Sequence, residues 1–304
     1  MSERIFITGA SGYLGSAIAK RLVRAGYEVY GLTRNSEHAA DLTARGVHAV
    51  VGALSKPDTF LDTLKNCDAA IHAAFDPTDV ARQDQLALEA VRIGAMDGRV
   101  RRFLYTSGAW VHGDTGGRVI DESSPLNPID LVRWRAAHED AAADLSEHEV
   151  KVIVLRPAIV YGGSRGLVGR MFAEAHEQRT VHYPGSGGTY WGLIHCDDLA
   201  EAYLRALERA QGGERYLLAD GSQHTVRQIA EAIARVTGAQ PRAQDVSEVL
   251  KQLGLLGRAL LTSQKLSAER PRNELGWTPK HTSFVEEVEA FDRDWLASRG
   301  TTVA

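Results

Sequence analysis

The segment Thr8-Gly9-Ala10-Ser11-Gly12-Tyr13-Leu14-Gly15 decides how this chain folds. It follows the apolar, strand-like Arg4–Thr8 and runs into a helical pattern over Tyr13–Ala25. Glycines spaced G-x-x-G-x-x-G therefore stand at the first strand-to-helix turn. Gly9 allows a tight turn, Gly12 lets a pyrophosphate approach the backbone, and Gly15 lets the helix pack closely on the strand. The start of the helix offers free N–H groups and a partial positive charge. In that setting the turn reads as a dinucleotide-phosphate site rather than a glycine-rich connection that binds nothing.

Working outward from the turn, short apolar runs alternate with helical patterns. Strands are expected at Arg4–Thr8, Glu28–Thr33, Val47–Val51, Ala69–Ala73, Phe103–Thr106 and Lys151–Leu155. Helices are expected at Tyr13–Ala25, Thr59–Lys65, Val80–Met96 and Val132–Leu145. The strands are short and continuously apolar, as when helices cover both faces of a parallel sheet. The expected fold class is α/β: a doubly wound parallel sheet, the Rossmann arrangement, with a smaller C-terminal substrate lobe. Residues 1–160 form the dinucleotide-binding domain in this reading, and 161–304 form most of the substrate lobe. Residues 190–210 are expected to return to the first domain. In the second half, Gly162–Gly169 and Gly185–Gly192 bracket a helical Leu167–Gln178. A helical Asp198–Arg209, a strand-like Arg215–Ala219, a helical Val226–Thr237 and a mostly helical tail broken at Trp277-Thr278-Pro279 follow.

Composition narrows the functional classes. The chain has 304 residues, 44% hydrophobic and 24% charged, with a net charge of −4, which is ordinary for a soluble globular protein. No basic run suggests nucleic acid or an anionic membrane as partner, and no apolar stretch approaches the ~20 residues that span a bilayer. The N-terminal residues run straight into a strand-like segment, which does not read as a secretory signal. Cys67 and Cys196 lack metal-type spacing, so no metal is expected, and a reduced, cytoplasmic setting fits. A monomer or homodimer acting on a small molecule is the corresponding expectation.

The end of the second strand chooses between nicotinamide cofactors. NAD specificity usually needs a carboxylate there to accept from the ribose hydroxyls. This chain reads Leu32-Thr33-Arg34-Asn35, with no acid and one guanidinium suited to a 2′-phosphate. NADP(H) is therefore expected over NAD(H).

Further segments carry a family resemblance along almost the whole chain. They are Cys67-Asp68-Ala69-Ala70-Ile71-His72-Ala73-Ala74, the run Phe103–Gly113 (FLYTSGAWVHG), Arg156-Pro157-Ala158-Ile159-Val160-Tyr161-Gly162, Ile194–Ala200 (IHCDDLA) and Glu274-Leu275-Gly276-Trp277-Thr278-Pro279. With the glycine turn, these resemble the extended short-chain dehydrogenase/reductases, the NAD-dependent epimerases and dehydratases. Turn and resemblance together imply a cofactor-contacting set of Gly9, Ser11, Gly12, Tyr13, Leu14, Gly15, Thr33, Arg34, Leu54, Ala73, Ala74, Thr106, Arg135, Pro157 and Ile159.

The family's catalytic pair does not carry over. The resemblance places a tyrosine, the general acid/base, and a lysine four residues apart on the helix after the fifth strand. Here that helix reads Leu131-Val132-Arg133-Trp134-Arg135-Ala136-Ala137-His138-Glu139. With Glu139 fixing the register, Leu131 takes the tyrosine position and Arg135 the lysine position. A second register would put Trp134 and His138 there, at the cost of the Glu139 match. Leucine has no proton to give, and an arginine cannot act as a base. Gly108 falls at the usual catalytic Ser/Thr position, with Ser107 just before it. Asp84 lies near the position of the family's active-site asparagine. His112, close to the expected nicotinamide, is a candidate proton donor near neutral pH, weighed against a pocket-wall role. His195 reads as structural. Ser107, His112 and Asp84 are thus the candidate catalytic residues of an atypical member. Such a protein is expected to be an NADP(H)-dependent oxidoreductase or epimerase acting on a small hydroxyl or carbonyl compound. The alternative is a sensor that holds NADP(H) without turning over.

Overall fold

A computed structural model describes residues 2–76 and 79–300. Its centre is a seven-stranded, wholly parallel sheet. The strands are β1 (Arg4–Thr8), β2 (Glu28–Thr33), β3 (His48–Val51), β4 (Ala69–His72), β5 (Arg102–Thr106), β6 (Lys151–Pro157) and β7 (Arg215–Leu218). Their spatial order is β3-β2-β1-β4-β5-β6-β7. The order reverses at β1, between β2 and β4, so a crevice opens beyond the carboxyl end of β1.

Helix α1 (Tyr13–Arg24) shows why the first turn forms as it does. It buries Gly15, Ile18, Ala19 and Leu22, the i, i+3, i+4, i+7 stripe of a helix lying on a sheet. On the same face lies α7 (Cys196–Arg209), tied to α1 by an ion pair between Arg21 and Glu201. Residues Ile194 to Leu207 join one hydrophobic cluster with Ile5, Ile7, Ile18 and Leu22. The opposite face is covered by α3 (Leu61–Lys65), α4 (Val80–Met96) and α5 (Arg133–Ala143), over a core including Phe6, Phe60, Leu88, Phe103 and Tyr105.

A third cluster forms a lobe of its own around α6 (Gly166–Gln178), α8 (Val226–Thr237) and the helix Phe284–Gly300, with Tyr161, Phe172, Trp191, Ile229, Phe284 and Trp295 at its centre. Two short parallel pairs, Leu193–His195 with Ile159–Tyr161 and Gln240–Gln244 with Thr180–Pro184, brace it.

Several elements differ from the sequence reading. Helix α2 (Ser36–Ala44) was not anticipated: Asn35 caps it by accepting from Glu37 N at 2.8 Å, but it buries only Leu42, so its apolar periodicity is weak. The helix expected at Val132–Leu145 is α5 flanked by 3-10 turns at Asp130–Val132 and Asp144–His148. The strand expected at Arg215–Ala219 in the second half forms over Arg215–Leu218 and pairs with β6 as the seventh strand of the main sheet. Its apolar residues need cover on both faces, and the open edge of β6 supplies the ladder.

Candidate functional site

The crevice beyond β1 is a cavity of about 480 Å³, within the range of small-molecule and cofactor sites. Its floor is the turn between β1 and α1. Gly9 has φ +71°, and a Cβ there would lie 2.6 Å from Ala74 Cα, so only glycine lets the β4 end approach. A Cβ on Gly15 would lie 2.1 Å from Gly9 O, so the helix seats on the turn only without one. Gly12 is the N-cap of α1 with no side-chain cap, and no acid stands in the first turn. The free N–H groups therefore face the cavity as an anion site. The residues present fit a dinucleotide.

Of the expected cofactor set, Gly9, Ser11, Gly12, Tyr13, Leu14, Thr33, Arg34, Leu54, Ala73, Ala74, Thr106, Arg135 and Pro157 line this cavity. Gly15 stands behind the turn and Ile159 lies off the wall. Residues the sequence reading missed also line it, among them Phe75, Asp76, Gln83 and Arg165. Arg165 comes from the glycine-rich stretch before α6, and its guanidinium lies 5.9 Å from the centre of the Tyr13 ring. The Tyr13 hydroxyl donates to Gly162 O at 2.8 Å, tying the phosphate turn to the second half of the chain. Burial, ahead of the nearby Cys196, raises the pKa of Tyr13, so this phenol holds its proton.

At the β5 end of the cavity, Ser107 is buried and its Oγ has no hydrogen-bond partner. Beside it Arg135 donates to Thr106 O at 2.8 Å, while the Thr106 hydroxyl is engaged with Tyr203 OH at 2.6 Å. Arg135, not Leu131, Trp134 or His138, is the residue of α5 and its leading turn that reaches the wall.

The other two candidate catalytic residues lie behind that wall. Asp84 accepts from Tyr105 OH at 2.7 Å, His138 Nδ1 at 2.7 Å and His72 Nε2 at 3.0 Å. His72 in turn accepts from Thr8 Oγ1 at Nδ1, 2.7 Å away. Burial pushes the Asp84 carboxyl up, but hydrogen bonds from His138, His72 and Tyr105 outweigh it and hold it well below the usual carboxylate range. Gln83, one residue earlier on α4, faces the cavity instead.

His112 is buried with both nitrogens engaged. Arg156 Nη1 donates to Nε2 at 3.0 Å, which puts the proton on Nδ1, and Nδ1 donates to Pro125 O at 3.3 Å. Burial and then Arg156 lower its pKa and keep it neutral. Arg156 itself is locked by Glu139, with Nε 3.1 Å from Oε1 and Nη2 2.6 Å from Oε2.

Away from the cavity, His195, Asp198 and His281 approach one another closely. The Asp198 carboxylate and one ring nitrogen of each histidine are engaged in structural bonds. Asp198 accepts from Lys280 N and His281 N at 2.9 Å each, His195 Nδ1 caps Asp197 N at 3.3 Å, and His281 Nδ1 meets Glu287 at 2.7 Å.

A parallel sheet reversing at a glycine turn, with a bare helix N-terminus over the crevice, defines a Rossmann-type nucleotide-binding protein. A sequence profile of the NAD dependent epimerase/dehydratase family matches residues 5–219, and the chain belongs to that family. An uncharacterized protein of Schizosaccharomyces pombe is 29% identical over 292 residues, 94% of this chain and 98% of its own. A 4-hydroxy-2-methyl-3-oxo-4-farnesyl-3,4-dihydroquinoline-1-oxide ketoreductase of Stigmatella aurantiaca is 26% identical over 281 residues, 88% of this chain and 84% of its own. Among solved structures, DesIV, a dTDP-glucose 4,6-dehydratase from Streptomyces venezuelae with NAD and TYD bound, has a TM-score of 0.84 at 21% identity, covering 98% of each chain. That likeness is one of fold. Among the described residues, no helix is long and apolar enough to cross a membrane.

Proposed function

We propose that this protein is an NADP(H)-dependent oxidoreductase that reduces a carbonyl, or oxidises the matching hydroxyl, without the family's tyrosine. The observation that carries the reading is the unpartnered hydroxyl of Ser107, set in the cavity wall beside the guanidinium of Arg135. A buried hydroxyl without a partner is uncommon, and a substrate oxygen would satisfy it. Membership of the family and the resemblance to a ketoreductase support the reaction class.

The glycine turn and the α1 N-terminus would hold the pyrophosphate, Arg34 the 2′-phosphate, and Ala73, Ala74, Arg135 and Pro157 the remainder of the nucleotide. When bound, the nicotinamide supplies hydride chemistry. Ser107 would donate a hydrogen bond to the substrate oxygen, and the alkoxide left by hydride addition would take its proton from water in the cavity. Arg135 stabilises negative charge developing on that oxygen but, always protonated, takes no part as a base. Asp84 and His112 act as positioning residues. The Asp84 network fixes the ends of β4 and β5, and His112 buttresses Arg156 next to Pro157.

Single-turnover absorbance at the reduced-nicotinamide band, with NADPH and a panel of ketones and aldehydes, tests this reading. Ser107→Ala is expected to slow the single turnover by about 10²–10³-fold, the usual cost of losing one such donor. A second reading, an NADP(H) sensor, draws on the engagement of His112 and Asp84 and on Leu131 lying off the wall. NADPH binding with no oxidation across the panel would select it.

A further inference from the structure

The adenosine end of the cavity carries an acid that the β2 end lacks. Arg34 leaves β2, Asp76 leaves β4, and these two strands flank β1. Their side chains meet in an ion pair, Arg34 Nη1 to Asp76 Oδ2 at 2.5 Å. Both residues line the cavity, as does Phe75, whose exposed ring stands at the same end. The pair thus bridges the two strand ends on either side of the glycine turn. Asp76 is largely shielded, with 18% side-chain exposure, whereas Arg34 is 70% exposed. The carboxylate is the more fixed partner, and the guanidinium is the one free to swing.

We infer that Asp76 sets the nucleotide preference of this site by competing with a 2′-phosphate for Arg34 and by accepting a ribose hydroxyl when that phosphate is absent. The inference rests on the NADP(H) reading given above. Two anions cannot both take the bidentate face of one guanidinium, and a phosphate beside Asp76 meets a like charge. A ribose 2′-hydroxyl meets the opposite situation, since NAD-binding sites of this fold accept it with a carboxylate, there from the end of β2, and Asp76 brings one to Arg34 from the end of β4. Arg34 alone would make the site strongly selective for NADP(H). Arg34 held by Asp76 makes it moderately selective and leaves NAD(H) usable.

The test is calorimetric titration of NADPH and of NADH on the parent protein, Asp76→Asn, Arg34→Ala and the double variant. Asp76→Asn is expected to tighten NADPH by about two- to fivefold, the size of the exposed pair that no longer has to break. It is expected to weaken NADH by a similar factor. The NADPH gain should shrink when Arg34 is already alanine. An unchanged NADPH-to-NADH ratio in Asp76→Asn overturns the inference, as does the same gain in both backgrounds, which would mean repulsion without competition. The NADP(H) reading fails separately. It falls if the parent binds neither nucleotide, or if Arg34→Ala leaves NADPH affinity unchanged, and the inference falls with it.

Discussion

Replacing Glu139 by glutamine should destabilise this protein far more than its isosteric shape suggests. Glu139 on α5 and Arg156 on β6 form a bidentate pair with side-chain exposures of 1% and 2%, and Arg215 Nε lies 3.8 Å from the same carboxylate. The glutamine keeps the volume and part of the hydrogen bonding but leaves the Arg156 cation buried without a counter-charge. Breaking one side of a buried pair typically costs about 3–5 kcal/mol. At about 2 °C per kcal/mol for a chain of this size, Tm should fall by roughly 6–10 °C. Removing both charges, with Glu139→Leu and Arg156→Met, should cost less, because an apolar pair replaces the ionic one. A residual loss of about 1–3 kcal/mol is expected, since His112 Nε2 would lose the donor 3.0 Å away. Urea unfolding and calorimetry measure both variants. Because Arg135 lies one turn before Glu139 and Pro157 follows Arg156, NADPH affinity should fall with Glu139→Gln as well. A single variant within 1 kcal/mol of the parent, or a double variant less stable than the single, would refute the reasoning.

Three further outcomes follow from the same geometry. Gly12→Val should abolish NADPH binding while leaving a folded protein, because the side chain takes the room above the turn; unchanged affinity by calorimetry would remove the basis for the cofactor site. Burial, opposed by Ser222 and Arg272, pushes the Asp220 carboxyl up to about 7, and its Oδ2 has no hydrogen-bond partner. A raised acid favours the fold fully below its unfolded pKa of ~4, and that contribution is lost as pH climbs to 7. The parent should therefore lose stability relative to Asp220→Asn between those limits and run parallel to it above; parallel curves throughout would show the carboxyl ionised in the fold. Finally, Leu131→Tyr with Arg135→Lys and Gly108→Ser should raise turnover on a simple ketone by about 10²–10⁴-fold, the usual contribution of a placed proton donor. A Cβ on Gly108 meets nothing nearer than Pro157 O at 4.0 Å, so the serine has room; a triple variant no faster than the parent would show that Leu131 is too far from the wall to matter.

The first βα turn was legible in the sequence because its chemistry is local. Gly12 and Gly15 are demanded by the nearby Gly9 carbonyl and Gly9 by its own positive φ, although the approach of Ala74 to Gly9 is long-range; the strand before and the helix after them are periodic. The strands β1, β2, β4, β5 and β6 were readable for a similar reason, since a strand covered on both faces is a short apolar run; β3, at the sheet edge, buries none of its residues and was readable from its β-branched and apolar residues alone. Long-range placement was not legible. Nothing in Arg215–Leu218 says that it will find the edge of β6, because the pairing partner lies about 60 residues away and a hydrogen-bond ladder leaves no mark on side-chain type. Asp84 and Gln83 are neighbours on one helix, and only the packing of α4 on the sheet decided that the glutamine faces the cavity while the acid is shut in by His72, Tyr105 and His138. The absence of an acid at the end of β2 was plain from Leu32-Thr33-Arg34-Asn35. That Asp76 comes back to Arg34 from across β1 depends on strand order, which the linear chain does not display.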